Sequence, residues 1–435
     1  MLALLGRLRD VARPRAVGSI TVGHGVNEFF AIVIPPIIPL LVADLGITYG
    51  QAGFLITIFF VMYILFQLPA GVLGDAIGKE RLLIAGLFGM AGGIFLASTA
   101  TTYGTLLVAQ TIAGISGSAF HPTGMALVSD YETEATEGKA MGVFGFGGAL
   151  GTMSAPVIVG GVAVVAGWRF ALATGVAIGL AVTCLVVYLF WTADEPTDVD
   201  ADSRNADGDP TDDPRTDGGR DGVERRSMLD GLRSAGVPVD LAVTKSVVVL
   251  FFLTVILSMQ HRAIQTYTTS YVAAETGTSV SVGNLTFFAL LVGGSLASLY
   301  AGDLADRFDR VWLGIGASVA TAGLVAATLG LATATAVLPA ALLPVVLAGW
   351  FAVIGAGMYA SYPVKNAMVS QQAEATSSGS LFGIIQTGSA IGSASGPAVF
   401  GLLSTRWGIV AAFPAIAGVS VLLALAFAAL WLTLE

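Results

Sequence analysis

The chain has 435 residues, of which 55% are hydrophobic and 11% charged, and its formal net charge is −9. So few charges cannot solvate a soluble protein of this size, and the acidic balance excludes the basic patch that nucleic-acid binding requires. The lone Cys184 excludes an internal disulfide and is read as inert packing in an apolar run.

Apolar runs of about 20 residues, each enough to cross about 30 Å of hydrocarbon, can be placed in order along the chain. The first set lies at 17–43, 48–70, 82–100, 104–128, 139–164 and 168–191. The second lies at 243–272, 280–301, 311–332, 337–369, 378–402 and 407–432. The expected fold is therefore all-α and membrane-embedded, with twelve transmembrane helices in two halves of six, 1–191 and 243–435. Between them, 192–242 is rich in Asp, Gly, Pro, Thr and Arg and is read as an acidic, disordered cytoplasmic linker. Arg7, Arg9, Arg13 and Arg15 precede the first span, while Lys79, Arg81, Lys139, Arg307 and Arg310 fall on even-numbered connections. Retention of basic residues on the inner side predicts two cytoplasmic termini in a plasma membrane. The first span has charged flanks and no cleavage site, so it is not read as a signal peptide.

The two sets repeat each other. Gly142, Gly151, Pro156 and Gly160 recur as Gly383, Gly392, Pro397 and Gly401, each 241 residues later. Small residues let helices approach closely and a proline bends them, so these positions, with Gly396, are expected to be helix-packing sites. The turn Gly71-Val-Leu-Gly-Asp75 with Gly78, Lys79 and Arg81 reappears as Gly302-Asp-Leu-Ala-Asp306 with Arg307 and Arg310. Two acidic turns at matching places suit a latch that joins helix ends in one conformation and releases them in another. Repeated membrane halves point to a transporter whose site lies between them.

The paired Gly-x-Leu-x-Asp turns in twelve spans resemble the major facilitator superfamily, over the whole chain apart from the acidic linker. That resemblance implies that the halves are two six-helix bundles, with a cavity lined by spans 1, 4, 7 and 10. The run Gly142-x8-Gly151-x3-Ala155-Pro156 is similar to the glycine-proline motif of drug:proton antiporters, although Ala155 replaces the usual glycine. Phe120-His121-Pro122 and His24-Gly-Val-Asn27-Glu28 resemble permeases of the fosmidomycin-resistance type. Gln110 stands about where many proton-coupled members carry an arginine, so that arginine's role does not transfer.

Ionisable groups within a span are costly and ask for a function. All three histidines, His24, His121 and His261, fall on spans 1, 4 and 7. Glu28 follows His24 by four residues and shares its helix face. Glu28, His24 and His121 are the expected proton-coupling groups. Asn27, His261, Arg262, Gln265, Tyr267, Tyr359, Tyr362, Lys365 and Asn366 are the expected substrate groups, with Arg262 and Lys365 meeting negative charge. The expected activity is proton-coupled efflux of a small amphipathic or anionic compound by a monomer. Uptake of a small organic anion is the alternative, and a metal-ion carrier a lower one. No span carries the two-histidine, one-turn spacing of a hydrolytic zinc site, so no enzyme, metal site or cofactor is expected.

Overall fold

The computed structural model describes residues 11–133, 135–192, 244–373 and 378–434. Nearly all of the expected linker, and Arg7 and Arg9, lie outside the described residues. The first span is built from α1 (Pro14–Ala31), a short 3-10 turn (Pro35–Ile37) and α2 (Ile38–Leu45). Pro35, Pro36 and Pro39 remove successive N–H donors, which interrupts the ladder inside one membrane crossing.

The second span, α3 (Tyr49–Ile77), opens on a capping box. Thr48 Oγ1 accepts from the Gln51 N–H at 3.1 Å and Gln51 Oε1 from the Thr48 N–H at 2.9 Å. It ends at Gly78, whose φ of +103° favours glycine. Then follow α4 (Lys79–Ser98), α5 (Tyr103–Gly117), α6 (Phe120–Tyr131), α7 (Glu137–Ala166) and α8 (Trp168–Thr192). The fourth span is split into α5 and α6 because Pro122 has no N–H to offer the Ser118 carbonyl four residues back.

The second half contains α9 (Lys245–Thr276), α10 (Val280–Arg307), α11 (Arg310–Ala326), α12 (Leu331–Val337) and α13 (Leu343–Ala373). It closes with α14 (Ser378–Trp407), α15 (Ile409–Ala412) and α16 (Ile416–Leu434). Among the described residues, 10 segments are long and apolar enough to cross a membrane. The expected spans missing from that set are the split fourth and the glycine- and serine-rich α14. The ninth and tenth spans differ from expectation, since the apolar run past Ala326 becomes a 3-10 turn and the separate α12. Cys184 is exposed on α8 rather than packed.

The halves mirror each other in their packing. Helix α1 lies against α7 as α9 lies against α14, and the halves meet along α3–α14 and α7–α10. Three hydrogen bonds join the halves at one end. Gly50 N–H donates to Thr405 Oγ1 at 2.8 Å, Thr57 Oγ1 to the Ala394 carbonyl at 2.7 Å, and the Tyr267 hydroxyl to the Tyr49 carbonyl at 3.4 Å. Toward the other end, Leu65, Leu68, Leu73, Leu296, Leu299 and Tyr300 are exposed. The molecule is thus joined at the end where α3 begins, and its halves part at the end that carries the Gly71 and Gly302 turns.

Candidate functional site

Two elements of the first half, α1 and α6, bring Glu28, His24 and His121 together. The four-residue spacing on α1 sets His24 Nε2 at 3.8 Å from Glu28 Oε1, and α6 brings His121 Nε2 to 3.9 Å from the same oxygen. His24 is fixed from behind, because its Nδ1 donates to the Phe144 carbonyl at 2.8 Å and its ring stacks on Phe144 at 3.9 Å. A carbonyl only accepts, so Nδ1 carries the hydrogen and the Nε2 lone pair of the neutral ring faces Glu28. Gly148 makes this possible, since a Cβ there would lie 2.9 Å from both His24 ring nitrogens. His121 Nδ1 meets the Tyr63 hydroxyl at 2.5 Å, and Asn27 Nδ2 donates to Glu28 Oε1 at 3.2 Å and to Tyr63 at 3.4 Å. The Glu28 and His121 side chains keep 26% and 31% exposure, so solvent reaches the cluster. Donor atoms of His24, Glu28 and His121 all lie within 4.8 Å of one another, which makes them a set able to hold a metal ion.

The facing wall belongs to the second half. Arg262 Nη1 donates to Gln265 Oε1 at 3.0 Å, and Gln265 Nε2 donates to the Tyr359 hydroxyl at 2.9 Å. Its guanidinium lies 4.1 Å above the Phe60 ring of α3, so it reaches across to the opposite half. Arg262 Nε is buried with no hydrogen-bond partner. Among the described residues, no carboxylate lies within 4.0 Å of Arg262. His261 packs between Tyr359 and Tyr362 at 4.5 and 4.9 Å, with Nδ1 unpartnered. Lys365 is buried at 5% exposure with no ion pair among the described residues, its ammonium 5.8 Å from the Tyr362 ring. Asn366 is exposed one position further on.

Tyr267 does not join this group. It is fully buried at the joined end, donating to the Pro397 carbonyl at 2.6 Å. The packing glycines divide similarly. Gly151 meets the Gly25 backbone, Gly392 the Val255 and Met259 backbone, and Gly396 the Met259 carbonyl. Gly160 faces Asn284 of the opposite half, and its repeat Gly401 faces Tyr49 and Gly50, so the last glycine of each copy lies on the seam. Pro156 is buried within α7 and Pro397 lies within α14. A Cβ on Gly142 would meet nothing within 4 Å; Gly147 and Gly148, which sequence reading passed over, pack against Thr21 and His24. Gly383 lies on α14 outside the residues whose surroundings are described.

At the parted end, Asp75 and Arg81 are exposed, and Asp75 has no ion pair among the described residues. The pair formed there is Lys79 Nζ to Asp130 Oδ2 at 2.6 Å. A Cβ on Gly71 would lie 3.7 Å from Pro122, one on Gly302 would meet nothing within 4 Å, and Arg307 is exposed at the end of α10. Arg310 donates to the Ala305 carbonyl at 3.3 Å, and Asp309, not anticipated, caps α11 through the Val311 and Trp312 N–H groups. The Asp306 side chain lies outside the described residues. Gln110 is buried on α5 with Nε2 unpartnered.

Two helical halves with repeated packing, meeting around a polar centre, define a multi-pass membrane protein of the transporter fold. The chain belongs to the Major Facilitator Superfamily, which it matches over residues 20–259 and 250–435. It is 30% identical over 142 residues to the riboflavin transporter of Clostridioides difficile (strain 630), covering 33% of this chain and 31% of that protein. It is 24% identical over 163 residues to a probable nitrate transporter of Staphylococcus aureus (strain JH9), covering 38% of this chain and 41% of that protein. These matches thus span less than half the length of either relative. A bacterial homolog of the human lysosomal transporter Spinster, solved inward-facing and occupied, superposes with a TM-score of 0.71 at 14% identity, over 97% of both chains. Its inward-facing, unoccupied form gives 0.63 at 15% identity, over 97% of this chain and 95% of the other.

Proposed function

We propose that the chain is a secondary transporter that moves a small organic anion by alternating access. Bundles 1–191 and 243–435 rock about the central site, joined by 192–242. Both termini and the parted end face the cytoplasm of a plasma-membrane protein. The observation that carries this reading is Arg262, a cation between the halves with a buried, unpartnered Nε and no carboxylate beside it. Arg262 is half-buried, and a partly desolvated charge without a counterion is costly, a cost that an arriving anion offsets. Lys365, equally unpaired, supplies a second positive group on the same wall. Nitrate, in the name of the Staphylococcus relative, is inorganic but is likewise a small anion.

Glu28, His24 and His121 form the coupling-cation site, with protons as the coupling ion. Efflux in exchange for protons rests on the likeness to fosmidomycin-resistance permeases. Uptake together with the coupling cation is favoured by one observation, the placement of Arg262 over Phe60, whose ring neighbours Tyr63 of the Glu28 cluster. A negative Glu28 competes with the anion for Arg262, and a cation that neutralises Glu28 therefore helps the anion bind. The Asp75 and Asp306 turns act as the latch when the parted end closes.

A thermal-shift screen tests the substrate class. Nitrate, benzoate, succinate and methylphosphonate are compared with riboflavin and tetraphenylphosphonium on the purified protein. At least one anion should raise the melting temperature of the wild type and fail to do so with Arg262→Gln. Stabilisation by the cation or riboflavin alone contradicts the anion reading.

A further inference from the structure

We propose that His24, Glu28 and His121 bind a divalent transition-metal ion of the zinc class, with one coordination position left open to the cavity. The inference rests on the side-chain geometry of the first half, is independent of the anion reading, and makes the metal a competitor of the protons assigned to the same three groups.

The donor set is two imidazole nitrogens and one carboxylate oxygen, the combination that zinc accepts with a water in the fourth place. Both Nε2 atoms face one oxygen, at 3.8 and 3.9 Å. Zinc–ligand bonds of about 2.0–2.2 Å require the two Glu28 separations to contract by about 0.5 Å, and the His24 and His121 donors, within 4.8 Å here, to close in through side-chain movement as well. The ring nitrogens turned away from the cluster are held as metal-bound histidines require. His24 Nδ1–H is committed to the Phe144 carbonyl, which leaves Nε2 free in the neutral ring. His121 Nδ1 rests on the Tyr63 hydroxyl, which both donates and accepts, so the ring can present either tautomer.

A second observation points to a ligand. Asn27 is fully buried and its Nδ2 is engaged with Glu28 and Tyr63, yet its Oδ1 has no partner. A water carried on the ion is a donor that this acceptor lacks. All three ligands come from α1 and α6 of the first half, so the ion binds without needing the halves to close. Arg262, in the opposite half and placed over Phe60, whose ring neighbours Tyr63 of the cluster, opposes the added positive charge. Removing it should tighten metal binding.

The test uses full-length protein in detergent, stripped with a chelator and titrated with Zn2+ by calorimetry and with Co2+ by visible absorption. One Zn2+ per chain is expected. His24→Ala, His121→Ala and Glu28→Gln should each weaken binding by about tenfold or more. His261→Ala removes the remaining histidine, which lies outside the cluster, and should leave the titration unchanged. Equal Zn2+ binding by wild type and the His24→Ala/His121→Ala double variant overturns the proposal. Should these variants fail to fold, the wild-type Co2+ spectrum decides. An intense band shows low-coordinate nitrogen ligation, and a weak octahedral spectrum refutes it.

Discussion

Gly53→Val should push the molecule out of the conformation described here. Gly53 lies on α3 at the joined end, where a Cβ would fall inside contact distance of the Tyr267 hydroxyl and the Pro397 carbonyl oxygen. It would also lie 3.0 Å from the Pro397 carbonyl carbon, which is backbone and cannot rotate aside. Overpacking of this kind costs about 1–3 kcal/mol. The clash sits between the halves and is relieved when they separate at that end, so the cost falls on this conformation alone. A bias of that size shifts a two-state equilibrium by about 5- to 150-fold. Spin labels at Val165 and Leu285, exposed on α7 and α10 across the seam, would report it in a Cys184→Ser background. Gly53→Val should lengthen the distance between labels, while Gly92→Val, where a Cβ meets nothing within 4 Å, should not. A folded Gly53→Val protein with an unchanged distance distribution would refute the reasoning.

Gly148→Ala should displace His24 and abolish transport, because the new Cβ meets the imidazole ring, whereas Gly142→Ala should leave transport intact and change stability by no more than about 1 kcal/mol. Parallel melting and flux measurements on the two variants check this. Asp75→Asn should leave the melting temperature unchanged, since Asp75 has no ion pair in this conformation, yet slow turnover by weakening the latch when the parted end closes. Unaltered turnover would reduce the turn to a plain connector.

The fold was legible because membrane crossing leaves its mark residue by residue. Apolar runs gave the spans, and the repeated Gly151/Gly392 and Gly160/Gly401 pairs landed on close helix contacts. Splits within spans were less visible, since Pro122 and the Pro35–Pro36 pair interrupt hydrogen bonding without interrupting hydrophobicity. Half of the candidate site was legible for a local reason: His24 and Glu28 share a helix face by spacing alone. Their partners were not. Tyr63 and Phe60 sit in an apolar aromatic run, and nothing local says that one will reach His121 and the other Arg262. Tyr267 was misplaced because position along a cavity-lining helix was taken for position in the cavity, while it lies past the site at the joined end. Asp130, the partner of Lys79, is separated from it by two spans and carries no motif of its own.

The central claim, that an anion crosses by way of Arg262, is tested most directly by exchange in proteoliposomes. Vesicles loaded with an anion found to stabilise the protein are diluted into a trace of the same labelled anion. The wild type should accumulate label transiently, and Arg262→Gln should lose that signal while remaining folded and inserted. Lys365→Met should reduce it. Counterflow by Arg262→Gln at the wild-type rate, or counterflow confined to cations and neutral compounds, would contradict the account.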